Sequence, residues 1–135
     1  MSEVDAVSAE QLLEYARSAA TLAYAPYSRF RVGAAVVASG RVFLGANVEN
    51  ASYGLSMCAE RVAAFKAASE GLTRLSMVAI SCIDADPSLG APGRMPCGAC
   101  RQVLAELAAS ETPVIIDGVG ALTLADLLPH AFRLG

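Results

Sequence analysis

Two short cysteine stretches constrain this chain more than any other feature of its sequence. Cys97 and Cys100 have C-x-x-C spacing, and Cys58 lies in the separate stretch Met57-Cys58-Ala59-Glu60. Residues three apart on a helix face the same way, so Cys97 and Cys100 can bind one ion from a single turn. Structural zinc takes four protein ligands, whereas catalytic zinc usually takes three and keeps one open position. No second C-x-x-C or H-x-x-x-H pair exists in the chain, so these three thiolates predict a metal site with a free coordination position.

Composition limits the classes of protein that this chain can belong to. Its 135 residues are enough for a single domain, 1–135, and the 55% of hydrophobic residues are typical of a globular protein. The net charge of -3 argues against a general binder of nucleic acid. The N-terminus lacks a charged-then-apolar leader, and no apolar run approaches the roughly 20 residues that span a bilayer. We therefore expect a reduced, cytoplasmic protein with neither nucleic acid nor membrane as a partner.

Hydrophobic periodicity and turn residues predict the order of the secondary structure elements. Ser8 and Gln11 form a capping box that begins a first helix, which runs to about Tyr24. The later elements are a β-hairpin around Ser39-Gly40, a helix from Cys58 to Gly71, a strand over 77–83, an irregular loop over 84–95, a helix from Cys97 to about Ala109, a strand over 113–116, a short strand near Leu122 and a final helical turn over 124–128. This order predicts an α/β fold, a three-layer α-β-α sandwich around one sheet of about five strands.

Glu60 adds a carboxylate to the predicted metal site without being a predicted ligand. It lies two positions after Cys58, which is about 200° around a helix axis, so the two side chains do not easily bind the same ion. They can, however, border the same cavity. A carboxylate beside a metal-activated water is placed to act as general base and proton shuttle. For the two cysteine stretches alone, a structural zinc site and a redox dithiol remain alternatives.

Several motifs together resemble the zinc-dependent cytidine deaminase superfamily. The stretch Cys58-Ala59-Glu60 followed by Pro96-Cys97-Gly98-Ala99-Cys100 is similar to its signature, and three cysteine ligands are typical of its small, homotetrameric nucleoside deaminases. The similarity extends, in the same order, to Ala25-Pro26-Tyr27-Ser28, Phe30, Val32-Gly33-Ala34-Ala35, Asn47-Val48-Glu49-Asn50-Ala51, Arg61, Arg101-Gln102-Val103 and Leu127-Leu128-Pro129. It implies one Zn²⁺ per subunit and hydrolytic deamination of cytidine and 2'-deoxycytidine, with release of ammonia, in pyrimidine salvage.

The resemblance also implies roles for individual residues. Glu60 would shuttle protons, Arg61 would donate to the thiolates, and the other implied contacts concern the substrate. Asn47 and Glu49 would hydrogen-bond the ribose 3'-hydroxyl, Phe30 would flank the pyrimidine, and Ala59 would offer backbone groups to the base. Ala51 and Tyr53 would reach a sugar bound in a neighbouring subunit, and Phe132 would pack over a neighbour's ligand. The chain departs from the family pattern at Ala46, at Met57 and in its short tail after Phe132.

Other readings of the same residues stay open at this point. A deaminase of a modified cytosine nucleoside, of the blasticidin type, would use the same fold, and a non-catalytic zinc module would use the same cysteines. Cys82 lies within an apolar strand and is expected to be an inert buried thiol. His130 is expected at the surface or an interface, and Asp84 and Asp86 are expected to be loop acids without assigned chemistry.

Overall fold

A computed structural model describes residues 6–134 of the chain. Within that range the regular elements are, in chain order, α1 (Ala9–Ala20), β1 (Val32–Ala38), β2 (Arg41–Ala46), α2 (Ala59–Ser69), β3 (Leu75–Cys82), α3 (Gly98–Leu107), β4 (Pro113–Ile116), β5 (Gly120–Thr123) and α4 (Leu124–Leu127). Single 3₁₀ turns occur at Tyr53–Leu55, Pro87–Leu89 and Ala91–Arg94. None of the helices in this part of the chain is long and apolar enough to cross a membrane.

The five strands form one mixed sheet in the order β2-β1-β3-β4-β5. β1 is antiparallel to both β2 and β3, β3 is parallel to β4, and β4 is antiparallel to β5. The β1–β2 hairpin turns at Ser39 and Gly40, whose φ angles of 51° and 75° suit the twist of the two strands. The predicted sheet of about five strands is confirmed.

Helices cover both faces of this sheet, which confirms the predicted three-layer sandwich. The α1 helix packs on one face, where Leu12 and Ala16 meet Val37 and Ile115. The α2, α3 and α4 helices pack on the other face and form the larger core together with the strands. Two strand glycines permit the close approach, because a Cβ at Gly33 would overlap the α1 backbone and one at Gly45 would overlap the α2 backbone.

The first helix is shorter than its periodicity predicts, and the reason lies in a long-range contact. The α1 helix begins at the predicted Ser8–Gln11 capping box but ends at Ala20, with Thr21 as its C-cap. Tyr24, which we expected to be helical, instead forms an isolated parallel bridge with Val48. The main chain of Tyr24 donates to the Asn47 carbonyl at 2.9 Å and accepts from the Glu49 amide at 2.8 Å. The end of α1 therefore leads the chain directly to the loop that carries Asn47 and Glu49.

The other predicted boundaries differ only slightly. The α3 helix ends at Leu107, because Ala108 is extended and bridges to Leu75. The segment from Asp84 to Met95 lacks strands and α-helices, as predicted, but it contains two of the 3₁₀ turns. The α2 and α3 helices start side by side at one end of the sheet, and that end carries the candidate site.

Candidate active site

The three predicted metal ligands lie together at the N-terminal ends of α2 and α3. Cys58 is the N-cap residue of α2, Cys97 is the N-cap residue of α3, and Cys100 lies in the first turn of α3. Their Sγ atoms all lie within 4.8 Å of one another; the Cys97–Cys100 distance is 3.3 Å and the Cys58–Cys97 distance is 3.9 Å. Zinc–sulfur bonds of about 2.3 Å in a tetrahedron place the sulfurs about 3.8 Å apart. The three thiols therefore fit a zinc ion in both ligand type and spacing.

Arg61 supplies positive charge to this cluster. Its Nη2 donates to Cys58 Sγ at 3.4 Å, while Nε is buried and has no hydrogen-bond partner among residues 6–134. A hydrogen bond from Cys100 and the nearby Arg61 guanidinium lower the pKa of the Cys58 thiol to about 5. The pKa of Cys100 is raised, because its thiol donates to Cys58 and is removed from water. The Arg61 side chain therefore lies against the thiol cluster.

Glu60 lies beside the thiols but outside their cluster. Its side chain is 5% exposed and borders the same cavity as Cys58 and Cys97. Among the described residues, the group close enough to share a metal ion consists of the three cysteines without Glu60. Burial, reinforced by the negative charge of Cys58, raises the pKa of the Glu60 carboxyl group to about 7. The carboxyl group is therefore free of the ligand set and faces the space in front of it.

A cavity of about 280 Å³ opens in front of this site. Most of the predicted substrate-binding residues line it together with Glu60 and two of the predicted metal ligands, whereas Cys100 is fully buried and does not line it. The lining residues are Ser28, Phe30, Val32, Asn47, Glu49, Tyr53, Cys58, Ala59, Glu60, Cys82, Gly93, Met95 and Cys97. One concave site thus combines thiols and a carboxyl group at one side with an amide and a second carboxyl group at the other.

Asn47 and Glu49 have a structural role that the sequence did not predict. The Glu49 carboxylate accepts the amide N–H groups of Tyr27 and Ser28, each at 3.0 Å, and the Ser28 hydroxyl. The Asn47 side chain accepts the Val32 amide N–H and donates to the Phe30 carbonyl, each at 2.9 Å. The bonds from Ser28 lower the pKa of Glu49, so it remains a carboxylate. Each side chain therefore positions the loop before β1 and still has capacity for another hydrogen bond.

Two predicted residues do not reach the cavity within this subunit. Ala51 is exposed and absent from the cavity lining, and Phe132 is 68% exposed near the C-terminus. Tyr53 lines the cavity rim but is itself 70% exposed. The implied contacts of Ala51, Tyr53 and Phe132 involve a neighbouring subunit, so those contacts stay predictions.

Cys82 is placed differently from its expected position inside an apolar strand. It is the last residue of β3, is only partly buried, and lines the cavity, with its thiol donating to the Arg94 carbonyl at 3.9 Å. Burial raises its pKa to about 11, so it forms a neutral part of the wall. Gly93, Met95 and Ser28 also line the cavity and were missed by sequence reasoning. For Cys82, the sequence offered one signal of a place at the cavity, which is that it ends the strand whose following loop leads to Cys97.

The fold and the cysteine site define an α/β protein with a zinc-binding centre, and comparisons with known proteins identify its family. Residues 6–116 match the cytidine and deoxycytidylate deaminase zinc-binding region. The cytidine deaminase of Halalkalibacterium halodurans is 49% identical over 128 residues, which cover 91% of this chain and 92% of that protein. The cytidine deaminase of Mycobacterium tuberculosis is 50% identical over 121 residues, with coverage of 88% and 85%.

Solved structures give the same result. The crystal structure of cytidine deaminase from Burkholderia pseudomallei has a TM-score of 0.81 and 42% identity, and the match covers 93% of this chain and 100% of that one. The structure of the M. tuberculosis enzyme gives a TM-score of 0.79 and 42% identity, with coverage of 95% and 99%. This chain belongs to the cytidine and deoxycytidylate deaminase family.

Proposed function

We propose that this chain catalyses the zinc-dependent hydrolysis of cytidine and 2'-deoxycytidine to the corresponding uridines, with release of ammonia. The observation that carries the proposal is the composition of one cavity. Its lining contains a first set of groups, the thiols of Cys58 and Cys97 with Glu60, and a second set, Asn47, Glu49 and Phe30. The third thiol, Cys100, lies within 4.8 Å of the other two sulfurs. The first set suits a ring that reacts with water. In the second set, Asn47 and Glu49 suit the hydroxyl groups of a sugar, and Phe30 suits the face of the ring.

Cys58, Cys97 and Cys100 would hold the zinc ion, which when bound supplies a Lewis acid that activates water for attack on an electron-poor carbon. Glu60 carries the protons of the reaction. Its carboxylate first accepts a proton from the attacking water and donates it to the ring nitrogen next to the reacting carbon. It then accepts the remaining proton of the added hydroxyl and donates it to the amino group, which leaves as ammonia as its bond to the carbon breaks and the carbon–oxygen double bond forms. Because Glu60 is buried and outside the thiol cluster, its carboxyl oxygens are available for these transfers.

Other cavity residues would bind and orient the nucleoside. Glu49 has a lone pair left for a sugar hydroxyl, and Asn47 has a second amide N–H. Ribose and deoxyribose share the 3'-hydroxyl, so recognition at that hydroxyl accepts both sugars. Phe30 provides an aromatic face for the pyrimidine, and the backbone of Ala59, at the first turn of α2, provides polar groups for the base edge.

We also infer that the chain forms a homo-oligomer, which by resemblance to the small three-cysteine nucleoside deaminases would be a tetramer. We infer that it acts in pyrimidine salvage in the cytoplasm. Exposed apolar side chains occur in segments 24–27 and 48–55, which adjoin or include residues that line the cavity, and such patches are typical of interaction surfaces. They are Tyr24, Tyr27, Val48, Tyr53 and Leu55, which are 48% to 70% exposed. Contact with a neighbour at this rim would bring Ala51, Tyr53 and Phe132 near a shared site. A reducing compartment would keep the free thiols of Cys58, Cys97 and Cys100 available for zinc.

An absorbance assay tests the proposed reaction directly. Zinc-loaded protein is mixed with cytidine or 2'-deoxycytidine, and loss of the cytosine absorbance is followed together with ammonia release. We expect stoichiometric conversion of both nucleosides, loss of activity after a chelator removes the metal, and recovery on adding zinc. Tightly bound zinc without conversion of either nucleoside would contradict the proposal, and conversion of only a modified cytosine nucleoside would change its substrate.

A further inference from the structure

The segment that leads into β1, residues 27–32, is held mainly by side chains that are distant in sequence. It carries Ser28, Phe30 and Val32 into the cavity. All six of its consecutive amide N–H groups have acceptors, which are Glu49 for Tyr27 and Ser28, the Ala25 carbonyl for Arg29, the Ser28 hydroxyl for Phe30, Asp84 for Arg31 and Asn47 for Val32. Four of these six residues are exposed, so hydrogen bonds, and not burial, restrain the backbone of this segment.

Asp84 differs from the other two side chains that hold this loop. Asn47 and Glu49 line the cavity, whereas Asp84 does not. Its Oδ2 accepts the Arg31 amide N–H at 2.8 Å and Arg31 Nε at 2.9 Å, and its Oδ1 accepts Nη2 at 2.9 Å. Main chain and side chain of one residue are thus held by one carboxylate, in the bidentate geometry that makes arginine–carboxylate pairs strong. Asp84 therefore acts on the loop from outside the substrate space.

The position of Asp84 connects it to a second segment that lines the cavity. It follows β3 by two residues and begins the segment whose far end supplies Gly93 and Met95 to the cavity and Cys97 to the thiol cluster. Arg31 lies between Phe30 and Val32, which both line the cavity. Strand pairing already joins Val32 to Cys82, and the Arg31–Asp84 pair adds a side-chain connection between the loop that carries Phe30 and the segment that leads to Cys97.

We propose that Asp84 is a positioning residue that, through Arg31, holds the loop carrying Ser28 and Phe30 at the end of β3 and so determines how tightly the nucleoside binds. The inference rests on the proposed deamination because the test measures KM in that reaction. The hydrogen bonds of Asp84 to Arg31 do not depend on it. The proton transfers occur at Glu60, and the metal ligands come from helix ends, so loss of the pair should change substrate binding far more than turnover. Because the Arg31 guanidinium lowers the pKa of Asp84 to about 2, the pair is fully formed at the neutral pH of an assay.

Steady-state kinetics of Asp84→Ala, Asp84→Asn and Arg31→Ala test the proposal. A charge-assisted hydrogen-bond set of this kind predicts about a tenfold rise in KM for Asp84→Ala, with kcat within about twofold and the zinc content unchanged. Asp84→Asn keeps an oxygen that can accept the Arg31 amide N–H, so it should restore part of the affinity. The double variant Arg31→Ala/Asp84→Ala should be no worse than Asp84→Ala alone, because the two residues act through each other.

Asp86→Ala is the matched control, since Asp86 is a nearby acid that only caps the Pro87–Leu89 turn through Ser88. Its KM should equal that of the wild type. An unchanged KM in Asp84→Ala, or a fall in kcat and zinc content instead of a rise in KM, would overturn the proposal. If Asp84→Ala does not fold, Arg31→Ala decides alone, because an unchanged KM there also overturns it. Wild-type turnover in the same assay reports separately on the deamination itself.

Discussion

The two sides of the cavity are built in different ways. The thiol side consists of Cys58, Cys97 and Cys100 at the ends of two helices that pack against each other and the sheet. The loop side is irregular backbone, and side chains from residues 47, 49 and 84 hold it through hydrogen bonds to main-chain amides. Regular structure therefore positions the groups for chemistry, whereas long-range side-chain contacts position the groups for binding. Substitutions on the first side should abolish the reaction, and those on the second should weaken substrate affinity.

The largest effect is expected for Cys100→Ala on the thiol side. Loss of one of three ligands should reduce zinc in the purified protein to a small fraction of one per chain, and activity should fall with it, because two thiols bind the ion much less tightly. Metal analysis and the cytidine assay measure the two effects. Cys82→Ala is the matched control, since Cys82 lines the cavity outside the thiol cluster and should leave the zinc content unchanged. Normal zinc in Cys100→Ala would remove it from the ligand set.

A smaller effect is expected for Glu49→Gln on the loop side. Glutamine keeps an oxygen for the Tyr27 and Ser28 amides but loses the charge offered to a sugar hydroxyl, so KM should rise about 10- to 100-fold with zinc unchanged. Glu70→Gln is the control, because Glu70 pairs with Arg41 through an exposed ion pair outside the cavity. A Glu49→Gln enzyme with a normal KM would mean that Glu49 serves only the loop.

The same contrast explains how much could be predicted from the sequence. C-x-x-C spacing and helix N-termini are local features of a sequence. The metal ligands, the capping box at Ser8 and the three-layer order could therefore be predicted. The predicted end of α1, at about Tyr24, was wrong because Tyr24 pairs with Val48, which is distant in sequence. Asp84 had no predicted role, since nothing local to it indicates that it accepts three hydrogen bonds from Arg31.

Cys82 shows the same limit for a single side chain. Its apolar neighbours in β3 correctly predict a strand, but only the three-dimensional arrangement shows that the strand ends at the cavity wall. The roles of Asn47 and Glu49 in substrate binding came from resemblance to a family, whereas their bonds to the loop required coordinates. Irregular backbone has no periodicity from which such contacts can be read.

The most direct test of this account separates chemistry from binding in one variant, Glu60→Gln. Its zinc content by metal analysis should equal that of the wild type, and its Kd for cytidine, from equilibrium dialysis, should remain within a few-fold, because Glu60 belongs to neither the ligand set nor the loop. Turnover should fall by about a thousandfold or more, since Glu49, the other carboxyl group that lines the cavity among residues 6–134, is engaged by the Tyr27 and Ser28 amides. Loss of zinc, or turnover near the wild-type rate, would contradict the account.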